Sequence, residues 1–363
     1  MRTGIANLPL HTGKAPRWLF ERMTLLAREI TLVMARDFGP EEVLARLSDP
    51  HWFQAFGCVL GFDWHSSGVT TTVCGALKQG IKGLEKELGL FIAGGKGGAS
   101  RKTPSEIERS ATDLPIEPEK LVYASRMSAK VDSSALQDGY QLYHHVFFFT
   151  SKGKWAVVQQ GMNDVNRYAR RYHWLGQGAS PLTETKDFVC EPHRAICCDS
   201  QNNVLNMVAR ESAEAREVST QLSWEKPETI IKEIKSLQTL DMPVRHYTTL
   251  HDIHPDRLYK ILLNTYENKP ENFETLLGME GVGPKTIRAL SLIAELVYGI
   301  KGSIRDPVRF SFAHGGKDGY PFPVDRTTYD ASIEFLRETV RQTKIGITDK
   351  KEAMKRLSRF ENE

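Results

Sequence analysis

The segment Leu276-Leu277-Gly278-Met279-Glu280-Gly281-Val282-Gly283-Pro284-Lys285-Thr286 constrains this chain more than any other. A short apolar helix, Phe273 to Leu277, meets a turn holding two glycines, which allow positive φ and close approach of a ligand. Pro284 suits the first turn of a following helix, where its missing N–H costs nothing. Ile287, Leu290, Ile293, Ala294 and Val297 then recur at the spacing of one buried helical face. The spacing predicts a helix-hairpin-helix, a module that grips the DNA backbone. Unpaired N–H groups at a helix N-terminus favour an anion, and Lys285 and Thr286 add a cation and a hydroxyl. The plainer alternative is an ordinary helical corner closed by glycine.

A chain of 363 residues has room for two or three domains with adequate cores. A formal net charge of +3 permits a nucleic-acid partner without proving one, so any binding surface must come from local clustering. No apolar run approaches the roughly 18 residues of a membrane span. Five irregularly spaced cysteines argue against a disulfide framework and for a reducing compartment. With no secretion signal in Met1 to Pro16, the expected location is cytoplasmic.

Apolar spacing predicts helices from Arg17 to Leu88, punctuated at Gly39-Pro40 and Ser48-Asp49-Pro50. Tyr140 to Phe149 and Trp155 to Gln159 are rich in aromatic and β-branched residues, and Ser151-Lys152-Gly153 between them predicts a β-hairpin. One strand is expected within Ala179 to Cys198, and helices from Ser200 to Glu217 and on to Tyr298. The stretch from Gly302 to Pro323 reads as an irregular loop, before a final helix from Asp325 to Gln342 and a frayed basic tail. The expected fold class is α+β, with a helical region over 1–102, a mixed α/β candidate catalytic unit over 103–217 and a helical, hairpin-bearing DNA-binding domain over 218–363.

Several constellations could carry chemistry. Asn166-Arg167-Tyr168-Ala169-Arg170-Arg171-Tyr172-His173-Trp174 combines cations for phosphate with flat faces for stacked bases, so Arg167, Arg170 and Arg171 are candidate DNA contacts. The alternative is an amphipathic element with its arginines in water. Around the hairpin, Asp132, Asp138, His144, His145, Gln159 and Gln160 are candidate catalytic residues. Asp138 with His144 is the candidate holder of Mn²⁺ or Mg²⁺, which would activate water against a phosphate. Adjacent His144 and His145 must face opposite sides of a strand. The lysine that many nucleases carry two residues after such a glutamine is Met162 here. A hairpin with polar rims in the core is an equal alternative.

Asp63-Trp64-His65 on a compact turn supplies a weaker acid–base candidate, as does His314 in the Ala313 to Gly319 loop. Gly94-Gly95-Lys96-Gly97-Gly98 could cradle a phosphate through its backbone, but it lacks P-loop spacing and reads better as a flexible linker. Cys190-x-x-His193-x-x-x-Cys197-Cys198 invites zinc, but buried free thiols fit that crowding better.

Two resemblances extend this reading. Gly281-Val282-Gly283-Pro284-Lys285 and Pro323-Val324-Asp325 resemble the helix-hairpin-helix DNA glycosylases. That likeness implies Lys285 as an amine nucleophile and Asp325 as its carboxylate. The interval from Gly302 to Tyr320 is longer than in those enzymes. Asn7-Leu8-Pro9-Leu10-His11, Gly61 to Gly68, Gln137-Asp138-Gly139-Tyr140 with His144-His145, Trp155 to Asn163, Ala169 to Trp174 and Phe312 to Gly319 together resemble a prokaryotic family catalogued as domain-of-unknown-function 763. That resemblance implies a DNA-directed role, cleavage, and a homodimer. The residues favour a metal-dependent DNA endonuclease, over a bifunctional glycosylase/lyase and a non-catalytic DNA-binding accessory protein.

Overall fold

The structure is a computed structural model that describes residues 15–62, 67–176, 187–238, 253–309 and 326–359. Helices α1 (Arg17–Phe38), α2 (Pro40–Ser48), α3 (Pro50–Val59), α4 (Gly68–Gly80) and the single turn α5 (Glu85–Leu88) precede strand β1 (Leu90–Lys96). Gly39, at φ +86°, separates α1 from α2. Asp49 caps α3 by accepting from the amides of His51 and Trp52, both at 2.9 Å. After a 3₁₀ turn (Gly97–Lys102) come α6 (Thr103–Ala111) and α7 (Pro118–Lys130), which runs into a π turn (Val131–Ala135).

Strands β2 (Leu136–Gln137), β3 (Gln141–Thr150), β4 (Trp155–Met162), β5 (Ala169–Leu175), β6 (Ala195–Cys197) and β7 (Leu205–Asn206) follow. The remaining helices are α8 (Ala213–Leu222), α9 (Pro227–Gln238), α10 (Pro255–Asn268), α11 (Phe273–Gly278), α12 (Pro284–Tyr298), α13 (Arg326–Gln342) and α14 (Ile347–Arg359). The α+β class holds. The expected hairpin is β3 with β4, while helix after Ser200 begins only near Arg210, because β7 intervenes. The tail expected to fray is helix α14, whose Ala353 and Leu357 are buried.

An antiparallel sheet in the order β1-β3-β4-β5-β6 forms the middle layer. Alternation sends Leu90, Val146, Phe148, Ala156, Val158 and Leu175 to one face, where they pack with α1 to α4 and with α13 and α14. Phe91, Phe147, Phe149, Val157, Tyr172 and Trp174 take the other face, against α6 to α12. Helices cover both faces, so β5 is buried along its whole length, arginines included. Both ends of the described chain lie over the same face of the sheet.

The glycine run is ordered structure. Gly94 and Gly95 lie in β1, and the 3₁₀ turn begins at Gly97. Gly94 stands at φ +93°, and a Cβ there would come 2.3 Å from the His145 carbonyl oxygen and 2.6 Å from Thr103 Oγ1. Its amide donates to Glu106 at 2.8 Å, and its carbonyl accepts from Lys78 at 2.7 Å. Backbone conformation and space therefore both demand glycine. Gly94→Ala is expected to cost about 2 kcal/mol or more, through strain and overpacking. Urea unfolding of the variant checks this.

Candidate functional site

The predicted hairpin is present, between α11 and α12. Asn272 caps α11 by accepting from the Thr275 amide at 2.9 Å. Gly281 adopts φ +83°, and Val282, 1% exposed, pins the turn to the core. The turn's carbonyls are held from within: Lys130 Nζ donates to the Met279 oxygen at 3.3 Å and to the Val282 oxygen. Burial lowers the pKa of Lys130. By contrast, the amides of Gly281 and Gly283 donate to no group among the described residues, and Gly281 is exposed. Lys285 is also exposed. Thr286 is not, because it falls on the buried face of α12 with Ile287. The expected hydroxyl at the ligand is thus replaced by a packing role.

On the α7 side of the sheet three of the expected catalytic residues, Asp132, His145 and Gln159, form one buried polar network. Asp132 is 0% exposed. Its Oδ2 accepts from Gln159 Nε2 and from Trp174 Nε1 at 3.0 Å, and its Oδ1 pairs with His193 Nε2. Gln159 Oε1 meets His145 Nδ1 at 2.7 Å, and His145 Nε2 meets Ser125 Oγ at 2.9 Å. Burial pushes the His145 pKa down, against the pull of Gln159 and Asp132.

Asp138 is similarly enclosed. Its Oδ2 accepts from Tyr172 Oη at 2.6 Å and Arg170 Nη1 at 3.1 Å, and its Oδ1 from the Tyr140 amide at 3.0 Å. Arg170 also forks onto both oxygens of Asp306, at 2.7 and 3.1 Å, and lies over the Tyr140 ring. Burial raises the Asp138 pKa, and Arg170 and Tyr172 oppose it.

Two of the three arginines expected on phosphates sit in the interior instead. Arg170 and Arg171 are both 0% exposed, because neighbours on a strand covered on both faces have no outward direction. Arg171 points to the α3–α4 side, where it donates to His173 Nε2 at 2.8 Å and Gln54 Oε1 at 3.2 Å. Arg167 alone of the three is exposed, on the β4–β5 turn.

A polar row crosses that second face: Lys96, His144, Gln160, Arg171 and Cys197 are successive register partners on β1, β3, β4, β5 and β6. Gln160 donates to Tyr143 Oη at 2.7 Å and to the Ser67 carbonyl at 2.9 Å. Neither ring nitrogen of His144 has a hydrogen-bond partner among the described residues. Burial, aided by His145 and Lys96, pushes its pKa down to about 3.

Asp138 and His144 therefore lie on opposite sides of the sheet and cannot share an ion. No group of three or more His, Cys, Asp or Glu suited to a metal occurs among the described residues. The expected Mn²⁺ or Mg²⁺ site does not fit the residues that were to form it. Cys197 and Cys198 likewise face opposite ways, and burial pushes the Cys197 thiol up to about 12. Asp63, His65, His314 and Asp325 lie outside the described residues.

One candidate residue has no role in the sequence pattern beyond a possible metal ligand. His193, read only as a possible zinc ligand, lines a cavity of about 1060 Å³ together with Arg194, Asn202, Asn203, Arg305 and Arg309. Its side chain is 7% exposed and its Nε2 is tied to Asp132, 61 positions earlier. Nothing local in the sequence signals that pairing.

Residues 4–324 match the family described as Protein of unknown function (DUF763). The chain belongs to this family. The DUF763 match takes in the whole five-stranded sheet, the hairpin and the cavity, and ends just before α13. No curated protein and no solved structure matches the chain.

Two stability predictions follow from the buried charges. Arg170→Ala would strand the Asp138 and Asp306 carboxylates without their cation, at an expected cost of about 3–5 kcal/mol by chemical denaturation. For His144, a folded pKa near 3 against 6.5 for the free side chain means that the unfolded chain binds the proton first. Stability is then intact above pH 6.5 and falls as pH drops toward 3, by about 1.4 kcal/mol per pH unit for this imidazole. Unfolding free energy measured against pH should show a shallower acid limb in His144→Phe than in the parent.

Proposed function

We propose that the protein binds DNA through the Gly281–Lys285 hairpin and acts on its phosphodiester backbone, as an endonuclease in DNA processing or repair. The observation that carries the binding half is the pair of amides at Gly281 and Gly283 that donate to nothing among the described residues, beside exposed Lys285 at the start of a 15-residue helix. Such donors, aligned with the positive end of the helix, suit a phosphate oxygen. The carbonyls of the same turn face inward onto Lys130, so the turn offers its positive side to solvent.

Of the two expected carboxylates, Asp132 communicates with solvent through His193, whereas Asp138 is closed off by Arg170 and Tyr172. Hydrolysis is therefore assigned to the Asp132–His193 side of the sheet. The Mn²⁺ or Mg²⁺ dependence expected of such an endonuclease stays part of the proposal, without Asp138 and His144 as joint ligands, and nicking with and without EDTA reads it. The homodimer implied by the family resemblance remains part of the proposal, and sedimentation equilibrium reads it.

The exposure of Lys285 favours one second reading, a glycosylase with lyase activity in which this amine attacks the sugar carbon of an abasic site. Borohydride trapping on abasic DNA, lost in Lys285→Ala, would select it. Duplex binding with intact strands under every condition would leave an accessory protein. For the main reading, duplex affinity should fall steeply with salt, and Lys285→Glu should weaken it about tenfold while reducing the salt slope by about one. Fluorescence anisotropy on a labelled duplex measures both, and plasmid nicking reads the hydrolysis. An affinity that ignores both salt and Lys285 would sink the proposal.

A further inference from the structure

Three arginines and three carboxylates line the cavity beside His193, and the two sets differ in what already holds them. Arg194, Arg305 and Arg309 are exposed around it, and none of their guanidinium groups has a hydrogen bond or ion pair among the described residues. The carboxylates of the same wall are already engaged. Asp306 is held by Arg170 at 2.7 Å, Glu191 by Arg210 at 3.2 Å, and Glu211 accepts from Ser303 Oγ. What remains uncommitted is positive. Planar guanidinium groups in that state suit phosphate oxygens, which accept from them in pairs.

The imidazole on this cavity wall is held on one side only. Asp132 takes the Nε2 side and thereby favours the tautomer with its proton there, leaving Nδ1 as the basic atom. Nδ1 makes no hydrogen bond among the described residues. Trp174 packs against the ring at 4.5 Å between centroids and Tyr172 at 6.1 Å, so the ring cannot turn without displacing core aromatics. A volume of about 1060 Å³ accommodates a nucleotide with its solvent, at the upper end of small-molecule sites. The Asn203 side chain, exposed on the lining, can donate to and accept from a base edge.

We propose that this cavity binds a nucleoside phosphate ester, with Arg194, Arg305 and Arg309 on the phosphate and His193 as the general base–acid of its hydrolysis. The choice of substrate rests on the phosphodiester reading above. His193 Nδ1 takes a proton from water as the water oxygen bonds to phosphorus. The phosphorus–oxygen bond to the ester group breaks, and the leaving oxygen keeps the electron pair and receives that proton from His193. The arginines balance charge on the non-bridging oxygens throughout.

The ester can arrive as a free nucleotide or as the end of a strand, and two probes separate these sources. Calorimetric titration with deoxyadenosine 5′-monophosphate reads the first, and titration with a 5′-phosphorylated tetrathymidylate reads the second. Binding of either, weakened about tenfold or more in the double variant Arg305→Ala/Arg309→Ala, is expected. Both arginines are exposed, so their removal leaves the core intact. His193→Gln should keep probe affinity within about twofold, with its fold verified by circular dichroism, and lower hydrolysis of the bound ester about a hundredfold. Binding of neither probe, or binding indifferent to the arginines, overturns the site. Hydrolysis undiminished in His193→Gln overturns the role of the imidazole. The probes are too short to need the hairpin, so loss of duplex binding alone would count against the hairpin reading and not against this one.

Discussion

A carboxylate without solvent organises this molecule. Asp132 accepts from a glutamine on β4, a tryptophan on β5 and a histidine on the loop before β6, while its own backbone ends α7 in a π turn. A carboxyl group at that depth is tolerable only when each oxygen is satisfied, and these three partners satisfy it. The consequence is geometric. The helix layer, two strands of the sheet and the rim of the cavity are tied to one point, and His193 is anchored by it.

The same turn also connects the two candidate functional regions. Lys130 closes the inner side of the hairpin, and Asp132, two residues later, holds His193. A polar face turned outward at the hairpin and a basic cavity beside His193 are therefore built from opposite ends of one short segment. Both are anchored to the core through that segment, by Lys130 on the hairpin carbonyls and by Asp132 on His193.

Burial on both faces of the sheet explains why polar residues that look functional in the sequence serve the interior instead. In β5, Arg170 and Arg171 alternate across the sheet and meet different partners: two carboxylates on one side, neutral acceptors on the other. An arginine between two aspartates stabilises little relative to an apolar core of equal volume. It does specify which segments meet, here β5, the Asp138 turn and the chain at Asp306. The cavity wall at Arg305 and Arg309 is positioned by that pairing.

The amino-acid order alone determined the local features: helices stopped at Gly39-Pro40 and Ser48-Asp49-Pro50, the β3–β4 hairpin, the turn at Gly281, and the opposite directions of His144 and His145. All of these follow from backbone rules that act within a few residues. It did not determine that α13 and α14 would join α1 to α4, that Gly94 lies within an edge strand, or that Thr286 is buried. Nor could it show that Asp132 would meet His193 and leave Asp138 to Arg170. Those outcomes depend on which faces are covered by segments distant in the chain. Burial is what converts a polar side chain from a potential ligand contact into a bonded part of the core, and only the tertiary structure decides burial.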